Sequence, residues 1–244
     1  MPKKISRASK KRGDRTLVVD IGASGIKALV LDAAGRPLTV RDRIKTPSPS
    51  TPGAVLNVIR RLARRQGRFD RVAVGFPSVI RNGVVETASN LGLDQKWCGF
   101  RLAEKLESKL GRPVRVANDA DLQGFGAISG RGVELVITLG TGFGSALFVD
   151  GKLVPNLEVA LYPLDGKTYG RMLGEAARKK VGNKKWNKRL SQVIEVLYSV
   201  FNYDHLYIGG GNSIKVKQKL PRNVRIVPNT AGLLGGIALW KEYG

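Results

Sequence analysis

Two apolar runs, Leu17 to Ile21 and Leu135 to Leu139, are each followed, after a few glycine-rich residues, by a second run, Ile26 to Leu31 and Ser145 to Val149. Short runs rich in Val, Ile and Leu and bounded by turn residues read as strands. Strand, glycine turn, strand is a hairpin. The first half continues through a turn at Asp32-Ala33-Ala34-Gly35 to a third strand ending at Ile44. A Pro/Ser/Thr loop from Thr46 to Gly53 leads into a helix started by Thr51 and Pro52 and running to about Gln66. Its apolar positions Val55, Leu56, Ile59, Leu62 and Ala63 share one face. Strands are expected at Val72 to Phe76, around Gly83 to Thr87 and at Val114 to Ala117, with a helix from about Phe100 to Leu110 stopped by Gly111. Residues 119–129 read as a helix with Asp119 near its start.

The second half begins as the first did, with strands at Val133 to Leu139, Ser145 to Val149 and Lys152 to Val154. Two helices follow, roughly Tyr169 to Val181 and Lys184 to Phe201, then a strand from His205 to Ile208, a strand from Val224 to Val227 and a closing helix from Ala231 to Tyr243. Two β-meander-plus-helices halves predict a bilobed α/β protein with a cleft between the halves, where small-molecule sites are preferred. The expected division is a basic disordered arm over 1–15, an N-terminal lobe over 16–118 and a C-terminal lobe over 119–244, with the helix 231–243 packing back toward the first lobe.

Charge is the unusual quantity in the composition. Lys and Arg number 42 against 19 Asp and Glu, a formal +23 that favours polyanionic partners: nucleic acid, inorganic polyphosphate, a nucleotide or an acidic membrane surface. The positive residues concentrate at Lys3 to Arg15 and Lys167 to Arg189. No apolar run approaches the roughly 18 to 20 residues that span a bilayer, so no membrane partner is expected. The basic start has no apolar segment of a secretory signal behind it. One cysteine, Cys98, permits no intrachain disulfide, and no Cys/His cluster has metal-ligand spacing, which fits a reducing cytoplasm.

The hairpin tips carry the chemistry. Asp20-Ile21-Gly22-Ala23-Ser24-Gly25 and Leu139-Gly140-Thr141-Gly142-Phe143-Gly144 present backbone N–H groups and hydroxyls unobstructed by side chains, as a phosphate chain requires. Two tips, one per half, suggest a clamp on one polyanion; glycine in ordinary tight turns is the simpler alternative for either alone. Neither tip opens a helix, which separates them from P-loop and dinucleotide-binding patterns. Asn118-Asp119 sits at the carboxyl end of a strand, where open α/β sheets place ligand-handling groups. Asp119 is the candidate base for a hydroxyl and Asn118 could orient a sugar, although both residue types also cap helices. Asp20 is placed to hold magnesium through water, with Lys27 and Thr141 as phosphate partners. Gly209-Gly210-Gly211-Asn212 would let backbone approach a ligand, or simply turn the chain. His205 reads as structural, which leaves carboxylate acid/base chemistry and argues against a Ser-His-Asp site.

Together these residues resemble the ROK family of sugar kinases, and most closely its polyphosphate-using glucokinase branch. The resemblance rests on DIGASGIK at 20–27, GFPSVIRNG at 75–83, NLG at 90–92 with Trp97, NDAD at 118–121, TLGTGFGSAL at 138–147, PNLE at 155–158, KKWNKRL at 184–190, IGGGN at 208–212 and NTAG at 229–232. It implies a two-lobed actin-like ATPase (ribonuclease H-like) fold and transfer of phosphate to the glucose 6-hydroxyl from polyphosphate or ATP, with Mg2+. By resemblance, Asp119 is the general base, and Asn90, Asn118 and Glu158 contact sugar. Gly22, Ser24, Gly25, Gly140, Thr141 and Gly142 contact the phosphate donor, and Gly209, Gly210 and Gly211 the adenosine side of a nucleotide. Lys184, Lys185, Lys188 and Arg189 supply a basic track for a long polyanion. A homodimer follows by analogy.

Three departures stand out. Ala23 replaces a glycine of the first loop, and the family's zinc-binding Cys cluster is absent, so no zinc is expected. The family's Glu-x-Gly-His reads Glu158-Val159-Ala160-Leu161, and Leu161 can neither hydrogen-bond sugar nor bind zinc. Three readings therefore stand: a polyphosphate glucokinase, an ATP-dependent kinase of another hexose or aminosugar, and a noncatalytic sugar- or polyphosphate-binding regulator. No helix-turn-helix segment precedes the core, so no specific nucleic acid is expected.

Overall fold

Leu17, Val19 and Ile21 turn to one side of their strand and Val18 to the other, and all four are buried. Alternation that would mark a half-exposed strand is therefore masked, because both faces of the sheet are covered. The structure, a computed structural model, describes residues 14–87, 91, 94–155, 157–228 and 231–242. The first half contains β1 (Thr16–Gly22), β2 (Gly25–Leu31), β3 (Asp42–Ile44), α1 (Pro52–Gln66) and β4 (Arg71–Phe76). A hairpin of β5 (Ile80–Arg81) and β6 (Val84–Val85) follows, then α2 (Asp94–Trp97), α3 (Leu102–Leu110), β7 (Val114–Asn118) and α4 (Asp119–Phe125).

The second half repeats the plan. It runs β8 (Val133–Leu139), β9 (Phe143–Val149), β10 (Lys152–Val154), a hairpin of β11 (Pro163–Leu164) and β12 (Lys167–Thr168), α5 (Tyr169–Leu173), α6 (Glu175–Phe201), β13 (His205–Gly209), β14 (Val224–Ile226) and α7 (Ala231–Glu242). The sheet orders are β3-β2-β1-β4-β7 and β10-β9-β8-β13-β14, two copies of one topology. In each, the hairpin strands pair antiparallel and the last two join in parallel. This is the two-lobed actin-like ATPase fold.

The equivalent helices α4 and α7 pack on each other between the two sheets. Val18, Ala73 and Ala117 of the first sheet and Val136, Ala146 and Phe148 of the second share one core with Leu122, Phe125 and Ile237 of these helices. Close approach is possible because the contact is glycine: a Cβ on Gly235 would collide with the Leu122 carbonyl, and one on Gly126 with that of Ala231. Outer cores close each lobe, around Ile59, Trp97 and Leu106 in the first and around Trp186, Leu190 and Leu197 in the second. The closing helix lies against the first lobe, where Arg71 and Arg115 approach the Trp240 ring at 5.1 and 4.4 Å and Arg115 donates to the Leu239 carbonyl.

Several boundaries differ from expectation. Helix α4 ends at Phe125 and not near residue 129, and the third strand of the first half is confined to Asp42–Ile44. Residues 1–13 of the basic arm lie outside the described residues. Asp14 and Arg15 do not hang free: the Arg15 N–H donates to Asp70 at 2.9 Å, and Asp14 pairs with Arg71. Among the described residues no helix is long and apolar enough to cross a membrane.

Candidate active site

A cavity of about 380 Å³ opens between the lobes, and both hairpin tips reach it. The β1–β2 pairing closes at Gly22 and Gly25, leaving Ala23 and Ser24 as a two-residue tip. The β8–β9 pairing closes at Leu139 and Phe143 around Gly140, Thr141 and Gly142. None of the four glycines in these tips has a positive φ, so turn geometry alone does not require them. Among the described residues, a Cβ on Gly140 would meet nothing within 4 Å, which leaves the approach to its backbone open. Gly25 is different: a Cβ there would strike the Arg43 side chain, which crosses the tip and donates to the Ser24 carbonyl at 2.8 Å.

The second tip is held from below. The Glu175 N–H at the start of α6 donates to the carbonyls of Gly140 and Thr141 at 3.0 and 3.3 Å, and Asn212 donates to Gly140 and Leu139. Gly210, with φ +85°, turns the chain beneath Leu139, and among the described residues none comes within 4 Å of a Cβ built on Gly211. Ten expected residues line the cavity: Asp20, Gly22, Ser24, Gly25, Lys27, Asp119, Gly140, Thr141, Gly210 and Gly211. Gly142 and Gly209 do not. Gly142 is exposed at its tip, and Gly209 lies against the side chain of Gln123, so the expectation that these two face a ligand is not met in the cavity itself.

Asp119 begins α4 directly after β7. Its half-buried carboxyl is raised to a pKa of about 7, first by desolvation and then by the negative charge of Asp20, with Glu158 adding to the effect. The Ala120 N–H, bonded to it at 3.0 Å, opposes that rise. Such a carboxyl is poised to exchange a proton near neutrality. Asn118 divides its amide: Oδ1 caps α4 by accepting from Ala120 at 2.7 Å, and Nδ2 donates to the Ser78 carbonyl at 3.1 Å. The capping alternative is thus realised for Asn118, and one amide hydrogen remains for another partner.

Asp20 and Lys27 are opposite one another in the β1–β2 register and form an ion pair at 2.8 Å. Asp20 keeps 40 % of its side chain exposed and its second carboxylate oxygen uncommitted to Lys27. Among the described residues no three His, Cys, Asp or Glu side chains gather closely enough to hold a metal. Magnesium that keeps most of its waters and binds substrate phosphates needs one such carboxylate, so Asp20 fits that role. Glu158 is exposed before a short 3-10 turn, with desolvation raising its carboxyl pKa, and its carbonyl accepts from Leu161. The Leu161 side chain projects into solvent at 70 % exposure. Asn90 lies outside the described residues.

Lys184, Lys185 and Lys188 are exposed on α6, beyond a break at Gly182 whose φ of 75° interrupts the helix. Trp186 between them is buried and donates to the Leu173 carbonyl, which fixes the basic turn on its lobe. Arg189 is half-buried, with its guanidinium 3.5 Å from the Met172 carbonyl. Sequence reasoning missed Arg41, Gln123, Thr138 and Leu233 as cavity residues. Alternating basic positions at 41, 43 and 45 were a legible sign of a charged strand beside the first tip.

Two equivalent sheets with an interlobe cavity, a carboxyl titrating near neutrality and phosphate-sized backbone tips define an actin-like phosphotransferase architecture. The chain belongs to the ROK family, whose model matches residues 16–156. It is 34% identical over 236 residues to a polyphosphate glucokinase of Mycobacterium tuberculosis (strain ATCC 25618 / H37Rv), an alignment covering 89% of this chain and 88% of that protein. The crystal structure of an inorganic polyphosphate/ATP-glucomannokinase from Arthrobacter sp. strain KM superposes with a TM-score of 0.83 at 32% identity, over 92% of this chain and 97% of the other. A ROK glucokinase from Streptomyces griseus, solved with glucose and AMPPNP, gives a TM-score of 0.72 at 18% identity over 91% and 97% of the two chains, a likeness of fold.

Proposed function

We propose that this chain transfers the terminal phosphoryl group of inorganic polyphosphate, and also of ATP, to the 6-hydroxyl of glucose. The observation that carries the reading is the Asp119 carboxyl, raised to a pKa of about 7 in a cavity that both glycine tips enter. The polyphosphate glucokinase and the polyphosphate/ATP-glucomannokinase, each more than 30% identical over most of the chain, support the donor and the acceptor.

In this reading Asn118, Glu158 and Asn90 hold the sugar with its 6-hydroxyl toward Asp119. The ionised carboxylate takes the hydroxyl proton as the oxygen bonds to the terminal phosphorus. The bond from that phosphorus to its bridging oxygen breaks, and the electron pair leaves with a polyphosphate shortened by one unit. Backbone N–H groups of the tips, the Ser24 and Thr141 hydroxyls and the Lys27 ammonium stabilise charge on the phosphoryl oxygens, which is where phosphoryl transfer needs help. Magnesium, when bound, neutralises part of that charge, with Asp20 holding it through water. Lys184, Lys185, Lys188 and Arg189 then carry the rest of a long donor away from the cavity. The glucomannokinase likeness favours mannose as a second acceptor.

A coupled glucose-6-phosphate assay with magnesium tests this, run with long-chain polyphosphate and with ATP at matched phosphate concentration. Turnover with polyphosphate that falls about 100- to 10,000-fold in Asp119→Asn, with sugar binding kept, is the expected result. Silence with both donors across a panel of hexoses would overturn the reading in favour of a binding protein.

A further inference from the structure

We infer that a second path for a polyanion leaves the cavity across the first lobe, over the edge strand β3 and along α1. It takes the distal phosphates of a long polyphosphate donor, and so rests on the donor reading above. The path starts at Arg41, which is exposed and lines the cavity. Arg43 lies opposite Lys27 in the β2–β3 register, as Lys27 lies opposite Asp20, so the three charges form a ladder across the face that carries the first tip. The Arg43 guanidinium crosses that tip to Ser24. Among the described residues, β3 is the outermost strand of its sheet.

Asp42, between the two arginines, turns the other way and pairs with Arg65 of α1 at 3.1 Å. Gln66 also donates to the Val40 carbonyl at 3.1 Å and contacts Thr39 through its oxygen. The carboxyl end of α1 is therefore fixed against the strand that borders the cavity. From there Arg60, Arg61, Arg64 and Arg65 occupy one face of α1, all exposed, within an arc of about 140° at 100° per residue. The opposite face holds Val55, Leu56, Ile59, Leu62 and Ala63 in the core. Arg68 extends the stripe just past the helix, and α1 contains no acidic residue.

Ordinary causes explain only part of this charge. Arg64 and Arg65 in the last turn favour the negative end of the helix, and charged side chains on β3 discourage pairing of an edge strand. Neither reason places Arg60, Arg61 and Arg68 beside them. Guanidinium groups at successive positions suit a flexible chain of phosphates, each able to accept a forked pair of hydrogen bonds. A nucleotide confined to the cavity would not reach α1.

The test is the full chain carrying Arg60→Gln, Arg61→Gln, Arg64→Gln and Arg68→Gln, with Arg65 kept to hold Asp42. Binding of end-labelled long-chain polyphosphate and of labelled tripolyphosphate is followed by fluorescence anisotropy over a salt series. The long chain is expected to bind on the order of 10-fold more weakly and to lose salt dependence by about 0.7 in the log–log slope for each contact removed. Tripolyphosphate binding should stay within about twofold of the parent, as should KM for ATP. Equal weakening of long chain and tripolyphosphate, or no change in either, would overturn the path. Tighter binding of a short DNA duplex than of polyphosphate, with larger loss in the variant, would overturn the ligand assignment. Parent protein that binds long polyphosphate but forms no glucose 6-phosphate from it would sink the proposed reaction, while the binding comparison still decides the path.

Discussion

Asp20 and Asp119 stand on either side of Gly75: Gly75 is the partner of Asp20 in the parallel β1–β4 register, and a Cβ on it would lie 3.5 Å from the Asp119 Cα. The strand between the two carboxylates is bare of side chain where they face the cavity. Desolvation is the larger cause of the raised Asp119 pKa, and the Asp20 charge is the second. Activity that requires ionised Asp119 should therefore rise with pH along a limb centred near 7 in kcat/KM, which reports the free enzyme. Replacing Asp20 by Asn removes a like charge and should move this limb to lower pH while reducing the rate. A pH profile of the variant measures it, and an unmoved limb would sink the coupling.

Gly75 itself is expected to be sensitive. In Gly75→Ala the new methyl would meet the Leu122 side chain at 3.0 Å and press on the start of α4, whose first residue is Asp119. Overpacking of this kind costs about 1–3 kcal/mol. The displacement of the base should lower kcat more than it raises KM for glucose. Steady-state kinetics beside a thermal melt separates the two effects, and an unchanged kcat with a lowered melting temperature would make Gly75 purely structural.

The repeated hairpins made the two-sheet plan legible because a glycine tip between apolar runs leaves few alternatives at that spacing. Thr51 and Pro52 marked the start of α1 correctly, and Thr51 accepts from the Ala54 N–H. The expected gap before Lys184 fell at a real break, where Gly182 takes a φ no other residue type favours, but the helix expected over Tyr169 to Val181 is itself divided, because extended backbone at Gly174 ends α5 at Leu173 and α6 starts at Glu175. What stayed hidden depends on contacts between distant segments. Nothing local says that α4 and α7 meet at Gly126 and Gly235, since those glycines look like ordinary helix-weakening residues until the facing carbonyls are known. The place of Arg43 is hard to read locally because three residues of strand carry a weak period, and its relation to the first tip comes from pairing with β2. The position of Asp119 after a strand is legible in the sequence, but its raised pKa comes first from burial and then from the Asp20 charge, both of which only the fold supplies.

The lysines of α6 carry a separate prediction about the donor. Lys184, Lys185 and Lys188 are exposed, whereas Trp186 and Leu190 anchor the same turns in the core, so charge can be reversed there without unpacking the lobe. Glutamate at all three positions should raise KM for long-chain polyphosphate by on the order of 10-fold, with a smaller change for ATP, and the difference should shrink as salt is added. Equal effects on both donors would assign these lysines to general attraction of anions.

Two carboxylates should give opposite stability effects. Glu134 is fully buried at the start of β8, and accepts from the Ser129 N–H and hydroxyl, from the Gly130 and Arg131 N–H groups and from Tyr207. Desolvation pushes its pKa up, but these bonds outweigh it and the net shift is downward. A depressed carboxyl adds stability above its unfolded pKa and loses it as pH falls through the folded value. Glu134→Gln turns an NH2 group toward N–H donors, which should cost about 2–4 kcal/mol near pH 7, or roughly 5 to 15 °C in melting temperature. That deficit should begin to narrow as pH falls below the ordinary glutamate value of 4.5 and close only once pH has passed below the depressed folded value, where the parent carboxylate is itself protonated. Asp119 runs the other way. With a folded pKa of about 7, above the ordinary aspartate value of 3.8, its folded form holds a proton that the unfolded chain has released, so stability falls as pH rises from about 4 to 7 and then levels. Asp119→Asn should accordingly be inactive yet more stable by on the order of 1–3 kcal/mol at pH 8, and no more stable at pH 4. Thermal melts of both variants across that range read the two slopes, and a destabilised Asp119→Asn at pH 8 would mean that its carboxylate is satisfied in the fold and not held in reserve for a substrate proton.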